Sequence, residues 1–329
     1  MSATVANDVT TCSAAINSYD FKRMSYCGNI TLTTTTVDSK GAPIGTAVME
    51  VSSSGALNPL LGAWEETDTL TLVEATGVAV ESNVSFTASC TSSTCSATAP
   101  NPWVNGTPMV EGQTLEGIVT FEDVPNVDVR DFAALQYAVT AVPSGATPDK
   151  PATWTAPQKV RCDSTKDSTG CAFADVTPTV SFSLTDQGAA AATYDWALLN
   201  LQSHPGQTGF TYLTDIGSAK RNRTCGTASS IAFVPNTAVV GDSCDEYPFA
   251  ATSEGGTDGG LCAEIIPQLV NGVWKFFQAD NSRPVTHAEP CVRGHVPITQ
   301  NKSAGGVFGL VVKNQRLIDT DKFKVAFTS

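Results

Sequence analysis

Long apolar runs, histidine, a serine-nucleophile turn and, in the first half, basic residues are what this 329-residue sequence is short of. No apolar stretch approaches the roughly 18 to 20 residues needed to span a bilayer, so no membrane partner is expected. The N-terminus, Met1 to Ala14, has neither a basic n-region nor an apolar h-region, and the numbering suits a mature or trimmed chain. Cys90 and Cys95 resemble a zinc half-site, but no second close pair with histidines follows at finger spacing and the chain has only three histidines. No Gly-x-Ser-x-Gly turn occurs among the many serines, which argues against an esterase built on a nucleophile elbow. Residues 1–149 hold 4 basic against 16 acidic side chains, whereas 150–329 hold 15 against 16. With a net charge of −13, the whole chain is a poor generic binder of polyanions, and only its second half has the cations to hold one.

Cysteine, by contrast, is plentiful. Cys12, Cys27, Cys90, Cys95, Cys162, Cys171, Cys225, Cys244, Cys262 and Cys291 make an even count in a chain rich in Thr, Ser and Gly. Such a set points to disulfides and an oxidising compartment, hence a secreted protein, with sequential pairing as the simplest arrangement.

From Asn29 to about Leu135, β-branched and polar residues alternate, as in Ile30–Val37 and Thr69–Val73. Further strand candidates lie at Ala47–Val51, Val84–Ser89, Thr114–Phe121 and Ala134–Ala141. The pattern predicts an antiparallel β-sandwich or barrel-like domain over 1–150. The Pro-rich stretch Val142 to Pro151 reads as a connector to a second domain over 151–329. There, helices are expected over Asp186–Ser203 and about Ala304–Gln315, with a strand at Phe323–Phe327.

The densest polar cluster is Asp245-Glu246-Tyr247-Pro248, followed by Glu254-Gly255-Gly256, then Gln300 to Gly306 and Arg316 to Asp321. Adjacent carboxylates, an asparagine at a glycine-containing turn and a trailing arginine are the ingredients of metal-assisted phosphodiester hydrolysis. That reaction needs a hard divalent ion to offset charge on the phosphate and a base to activate water. Taken alone, such acidic pairs are more often solvated surface.

The string Cys244-Asp245-Glu246-Tyr247-Pro248-Phe249-Ala250, with Glu254-Gly255 after it, resembles the signature of the NucA/NucB family of secreted bacterial deoxyribonucleases. The likeness extends through Val160-Arg161-Cys162, Gly170-Cys171, Asp175 to Pro178, Arg221 to Cys225, Val296-Pro297, Gln300-Asn301, Ala304 to Gly306, Arg316 to Asp319, Asp321 and Phe323. It covers about 155–329 and looks like the longer, cysteine-containing actinobacterial branch. The resemblance implies an α+β protein: the β-rich N-terminal domain followed by a compact α+β nuclease domain akin to the ββα-metal (His-Me finger) nucleases. It further implies sequence-non-specific cleavage of DNA with a divalent metal ion, Mg²⁺, Mn²⁺ or Ca²⁺, by an extracellular monomer; a protein inhibitor is left open as a partner.

Carried over position by position, Asp245 is the base or a ligand, and Glu246 its partner. Asn301 is a metal ligand, directly or through water, Glu254 a further ligand or a structural cap, and Arg316 or Lys302 steadies the phosphate. Lys302, Arg221 and Arg223 are candidate phosphate contacts, although a basic run at a helix end is commonly a solvated face. His295 is a candidate supporting residue, since histidine titrates near neutrality. Shorter family members carry Asp-Asn-Arg where this chain has Gln300-Asn301-Lys302, so one acid is missing. The rival reading is therefore a secreted β-rich binding or structural protein whose nuclease-like half is inactive.

Overall fold

The computed structural model describes residues 12–98, 105–147, 150–165, 168–214 and 217–329. Residues 1–11, the greater part of the N-terminal stretch weighed as a leader, lie outside the described residues, as do 148–149 of the Pro-rich segment. The chain divides into two compact units, 1–176 and 177–329.

In the first unit the described strands are β1 (Ser18–Lys22), β2 (Ser25–Val37), β3 (Pro43–Ala56), β4 (Ala63–Gly77), β5 (Glu81–Cys90), β6 (Cys95–Thr98), β7 (Thr107–Val110), β8 (Thr114–Asp123), β9 (Arg130–Pro143), β10 (Ala152–Asp163) and β11 (Gly170–Ala172). They form two antiparallel sheets, ordered β1-β2-β3-β4-β8-β6 and β11-β10-β9-β5-β7. Strict alternation puts every second side chain inside, as Ala47, Met49 and Val51 of β3 and Leu70 and Leu72 of β4. Phe86, Phe121, Leu135 and Val139 from both sheets complete one core. The Pro-rich connector joins β9 to β10, which pair with each other, so it lies within this unit. Their register shifts between Thr155 and Lys159, a stretch containing Pro157, which has no N–H to give to a ladder.

The second unit runs β12 (Thr179–Ser183), α1 (Gly188–Asn200), β13 (Phe210–Thr211), α2 (Gly217–Cys225), β14 (Asp242–Tyr247), β15 (Ala263–Val270), β16 (Val273–Gln278), β17 (Val292–Pro297), α3 (Ile298–Asn314) and β18 (Lys322–Thr328). One sheet is ordered β14-β17-β15-β16, the other β12-β18-β13. In α1, the run Ala189–Ala192 is wholly buried; alanine favours the helix and lets it lie close against β17, β15 and α3. The helix stops at Leu201, which is extended, ahead of His204-Pro205-Gly206.

The expectation of an α+β chain ending in a compact ββα-metal nuclease domain is overturned. Among the described residues strand accounts for 48% and helix for 15%, in several sheets with three α-helices, so what is described is mostly β. The reason lies in long-range pairing. β18 is parallel to β12 and antiparallel to β13, while β15 turns at Asn271-Gly272 into β16, so the strands of the second unit make two sheets. A short signature string carries no information about such partners.

Five disulfides join the ten cysteines in sequential order: Cys12–Cys27, Cys90–Cys95, Cys162–Cys171, Cys225–Cys244 and Cys262–Cys291. Among the described residues, no helix is long and apolar enough to cross a membrane.

Candidate active site

The site is built on β14, an edge strand whose residues alternate between two unlike faces. Asp245 and Tyr247 are opposite Gly294 and Val292 of β17, on the apolar side covered by α1. Cys244 and Glu246 are opposite His295 and Arg293, on a charged side. There the Cys225–Cys244 disulfide ties α2 to the strand, and Arg293 donates from Nη1 to the Thr224 carbonyl, 3.3 Å. A Cβ at position 294 would stand 2.5 Å from Thr193 Oγ1, so glycine is what lets α1 approach the sheet here.

That approach places Tyr194 over Asp245. The Tyr194 hydroxyl donates to Asp245 Oδ2 at 2.7 Å. Asp245 and Glu246 are only 3% and 2% exposed. Burial, then the neighbouring Glu246 charge, push the Asp245 carboxyl up to about 7, against the pull of the Tyr194 hydrogen bond and of Arg221. Burial likewise raises Glu246, opposed by Arg221, whose Nε donates to Glu246 Oε1 at 3.0 Å. A buried carboxyl poised near neutrality beside a second one is an arrangement suited to taking a proton from water.

Asn301, in the first turn of α3, fastens that helix to β14. Its Nδ2 donates to Ser243 Oγ, 3.2 Å, and to the Cys244 carbonyl, 3.0 Å. The preceding residue, Gln300, accepts the Ala189 N–H on Oε1 at 2.7 Å and so caps α1. The side chain standing where an acid was expected thus serves a helix end. Together α1, α2, β14 and α3 line a half-open cavity of about 380 Å³. Its polar lining is Asp245, Glu246, Arg221, Asn301 and Ser218; its apolar lining includes Phe249, Phe308 and Ala304.

Residues 201–273 match the family model of deoxyribonuclease NucA/NucB. The matched segment holds Arg221, Asp245 and Glu246 and ends before α3. This NucA/NucB match supports a DNA-hydrolysing enzyme with DNA as its substrate. No curated protein matches the chain. Among solved structures, the crystal structure of a yeast GGA1_GAE domain-P21 is similar at 10% identity and a TM-score of 0.20, over 32% of this chain and 90% of that one. A likeness that weak carries no argument.

Of the residues singled out beforehand, Asp245, Glu246, Asn301 and Arg221 line one cavity. The others stand elsewhere. Glu254, within the segment that matches the family model, accepts from the Thr211 N–H and Oγ1 and borders a separate hollow with Lys322 and Lys324. Lys302 and Arg223 are exposed and not in the cavity lining. Arg316 is buried just past the end of α3, at φ 42°, and also outside that lining. His295 is buried on the charged face of β17. Its Nδ1 meets Asp242 Oδ2 at 2.6 Å and its Nε2 Glu264 Oε1 at 3.2 Å. Burial lowers its proton affinity, but the hydrogen bonds to Glu264 and Asp242 outweigh this and raise it. Glu264 in turn accepts from the fully buried Arg293 at 2.5 Å. The sequence reading missed Tyr194, Phe249, Phe308 and Ser218 as lining residues. The available signal was a tyrosine inside an alanine-rich helix, whose hydroxyl needs a partner once buried.

Proposed function

We propose that the chain is a secreted, metal-dependent endodeoxyribonuclease that hydrolyses DNA without sequence preference. The observation that carries the reading is the adjacent buried pair Asp245 and Glu246, facing a cavity that also holds Arg221 and Asn301, inside the segment matched to a deoxyribonuclease family. Asp245 acts as the base for the attacking water, with Tyr194 holding its Oδ2 and leaving the other oxygen to accept the proton. Arg221, 63% exposed although paired through Nε, offers its remaining N–H groups to a non-bridging phosphate oxygen.

The donors present fit a hard cation. Beside the base, the oxygen donors in the cavity are Glu246 and the Asn301 amide, and among the described residues no group of three or more His, Cys, Asp or Glu could by itself hold a metal ion. A hard cation such as Mg²⁺ would be held here by Glu246 and Asn301. When bound, it supplies neutralisation of the charge that develops on the phosphate. Five disulfides support an extracellular site of action.

The test is cleavage of plasmid and linear duplex DNA by the oxidised protein in Mg²⁺, Mn²⁺ or Ca²⁺, against EDTA and against Asp245→Ala. Metal-dependent degradation that disappears in the variant is the expected result. DNA left intact under every metal supports the inactive binding-protein reading, and cleavage that survives in Asp245→Ala moves the site elsewhere.

A further inference from the structure

The cavity beside Asp245 has a surface that phosphodiester hydrolysis itself does not require. Phosphate, cation and water are served by Asp245, Glu246, Arg221 and Asn301. The rest of the lining is largely apolar and in part aromatic. Phe308 stacks on Phe249 with ring centroids 5.4 Å apart and planes inclined by 22°; Phe249 is buried, whereas Phe308 is only partly so and offers surface to the cavity. Gly305, in the same helix and also lining the cavity, has open space where a Cβ would project.

On a DNA strand the broad apolar surface is the face of a base. In an intact duplex those faces are covered by stacked neighbours, and the grooves present only base edges and thymine methyl groups. Aromatic side chains are the platforms on which unpaired bases stack, with little regard to sequence. The volume, about 380 Å³, falls at the low end of the roughly 300–1,000 Å³ typical of small-ligand sites. It suits one nucleotide unit and not the side of a double helix.

We propose that Phe308 and the space over Gly305 receive a single unstacked nucleobase beside the carboxylate pair, so that the preferred substrate is a locally unpaired DNA strand. The inference rests on the reading of this site as a DNA-cleaving one. It accounts for the largely apolar, part-aromatic lining of the cavity beside the carboxylates.

The experiment is equilibrium binding in EDTA, by fluorescence anisotropy, of a labelled single strand, its perfect duplex, and that duplex with one central mismatch. The full-length oxidised protein is compared with Gly305→Leu and Phe308→Leu. Leucine at 305 enters open space and is a better helix former than glycine, so folding is retained while apolar bulk is added at the cavity lining. Phe308→Leu keeps an apolar side chain and removes the ring. Single-stranded and mismatched DNA are expected to bind at least about tenfold more tightly than the perfect duplex. Either variant should erase most of that difference by weakening the unpaired ligands. Equal affinity for single strand and perfect duplex, or a preference that survives both variants, overturns the proposal. Because this readout needs no cleavage, an inactive protein that still prefers unpaired DNA sinks the nuclease reading alone. An active one without the preference sinks this inference alone.

Discussion

Asp245 is held by two residues that have no chemistry of their own to offer a phosphodiester. Gly294 admits α1, and α1 brings the Tyr194 hydroxyl to Oδ2. A hydroxyl donating to a carboxylate favours its ionised form, so Tyr194→Phe should raise the Asp245 pKa above its position near 7. A reaction that needs the ionised base then gains its activity at higher pH. The ascending limb of kcat/KM against pH, measured at saturating Mg²⁺, is expected to move upward by about half a unit or more. An unchanged limb with a uniformly lower rate would mean that Tyr194 serves packing only. At this scale Asp245, Glu246, Asn301 and Arg221 were legible as a group, through the signature string and its companions. For Tyr194 the helix signalled only that a buried hydroxyl needs a partner; which partner it takes, 51 positions away, was not encoded locally.

Among the elements, α2 and β14 are coupled most directly, by the Cys225–Cys244 disulfide. It fixes the helix that carries Arg221 to the strand that carries Glu246. Replacing both cysteines by alanine releases a loop with a sequence separation of 19 and is expected to cost about 3 kcal/mol of stability in the second unit. Chemical denaturation of the double variant checks this, and an unchanged midpoint would show the tether to be idle. Element spacing also explains why Glu254 and Arg316 fall away from the cavity. Past Tyr247 the chain leaves the sheet, and Glu254 is spent on the N–H and hydroxyl of Thr211. Arg316 lies two residues beyond the last residue of α3, at the opposite end of that helix from Asn301. Linear proximity to a motif says little about which end of a helix reaches the site.

For the molecule as a whole, individual strands were readable from period-2 alternation, and one helix from its alanines and stop signal, but the partition into sheets was not. Register and partner are set by contacts between distant segments, as where β18 meets β12 and β13. The first unit hides a second unread feature. Glu66 and Asp68, adjacent inward positions of β4, are both fully buried. Tyr26 and Tyr137 donate to Glu66 Oε2 at 2.5 and 2.7 Å, and Ser53 donates to Asp68. Burial pushes Glu66 from 4.5 up to about 7, and burial with the Glu66 charge raises Asp68 well above its usual range. An acid whose folded-state pKa is raised contributes stability in full below its unfolded pKa and loses it as pH rises through the folded one. The first unit should therefore melt at progressively lower temperature from pH 4.5 to about 7. Glu66→Gln should flatten that dependence in scanning calorimetry; an identical slope in both proteins would refute the assignment.

The two neighbouring side chains at the start of α3 bear on how this domain can be recombined. Gln300 reaches Gly188, which has φ +50° and where a Cβ would collide with it at 2.5 Å, while Asn301 reaches β14. Positions 188 and 300 therefore form a lock and its key, and a chimera that imports α3 from a protein with a different residue at 300 must import the start of α1 with it.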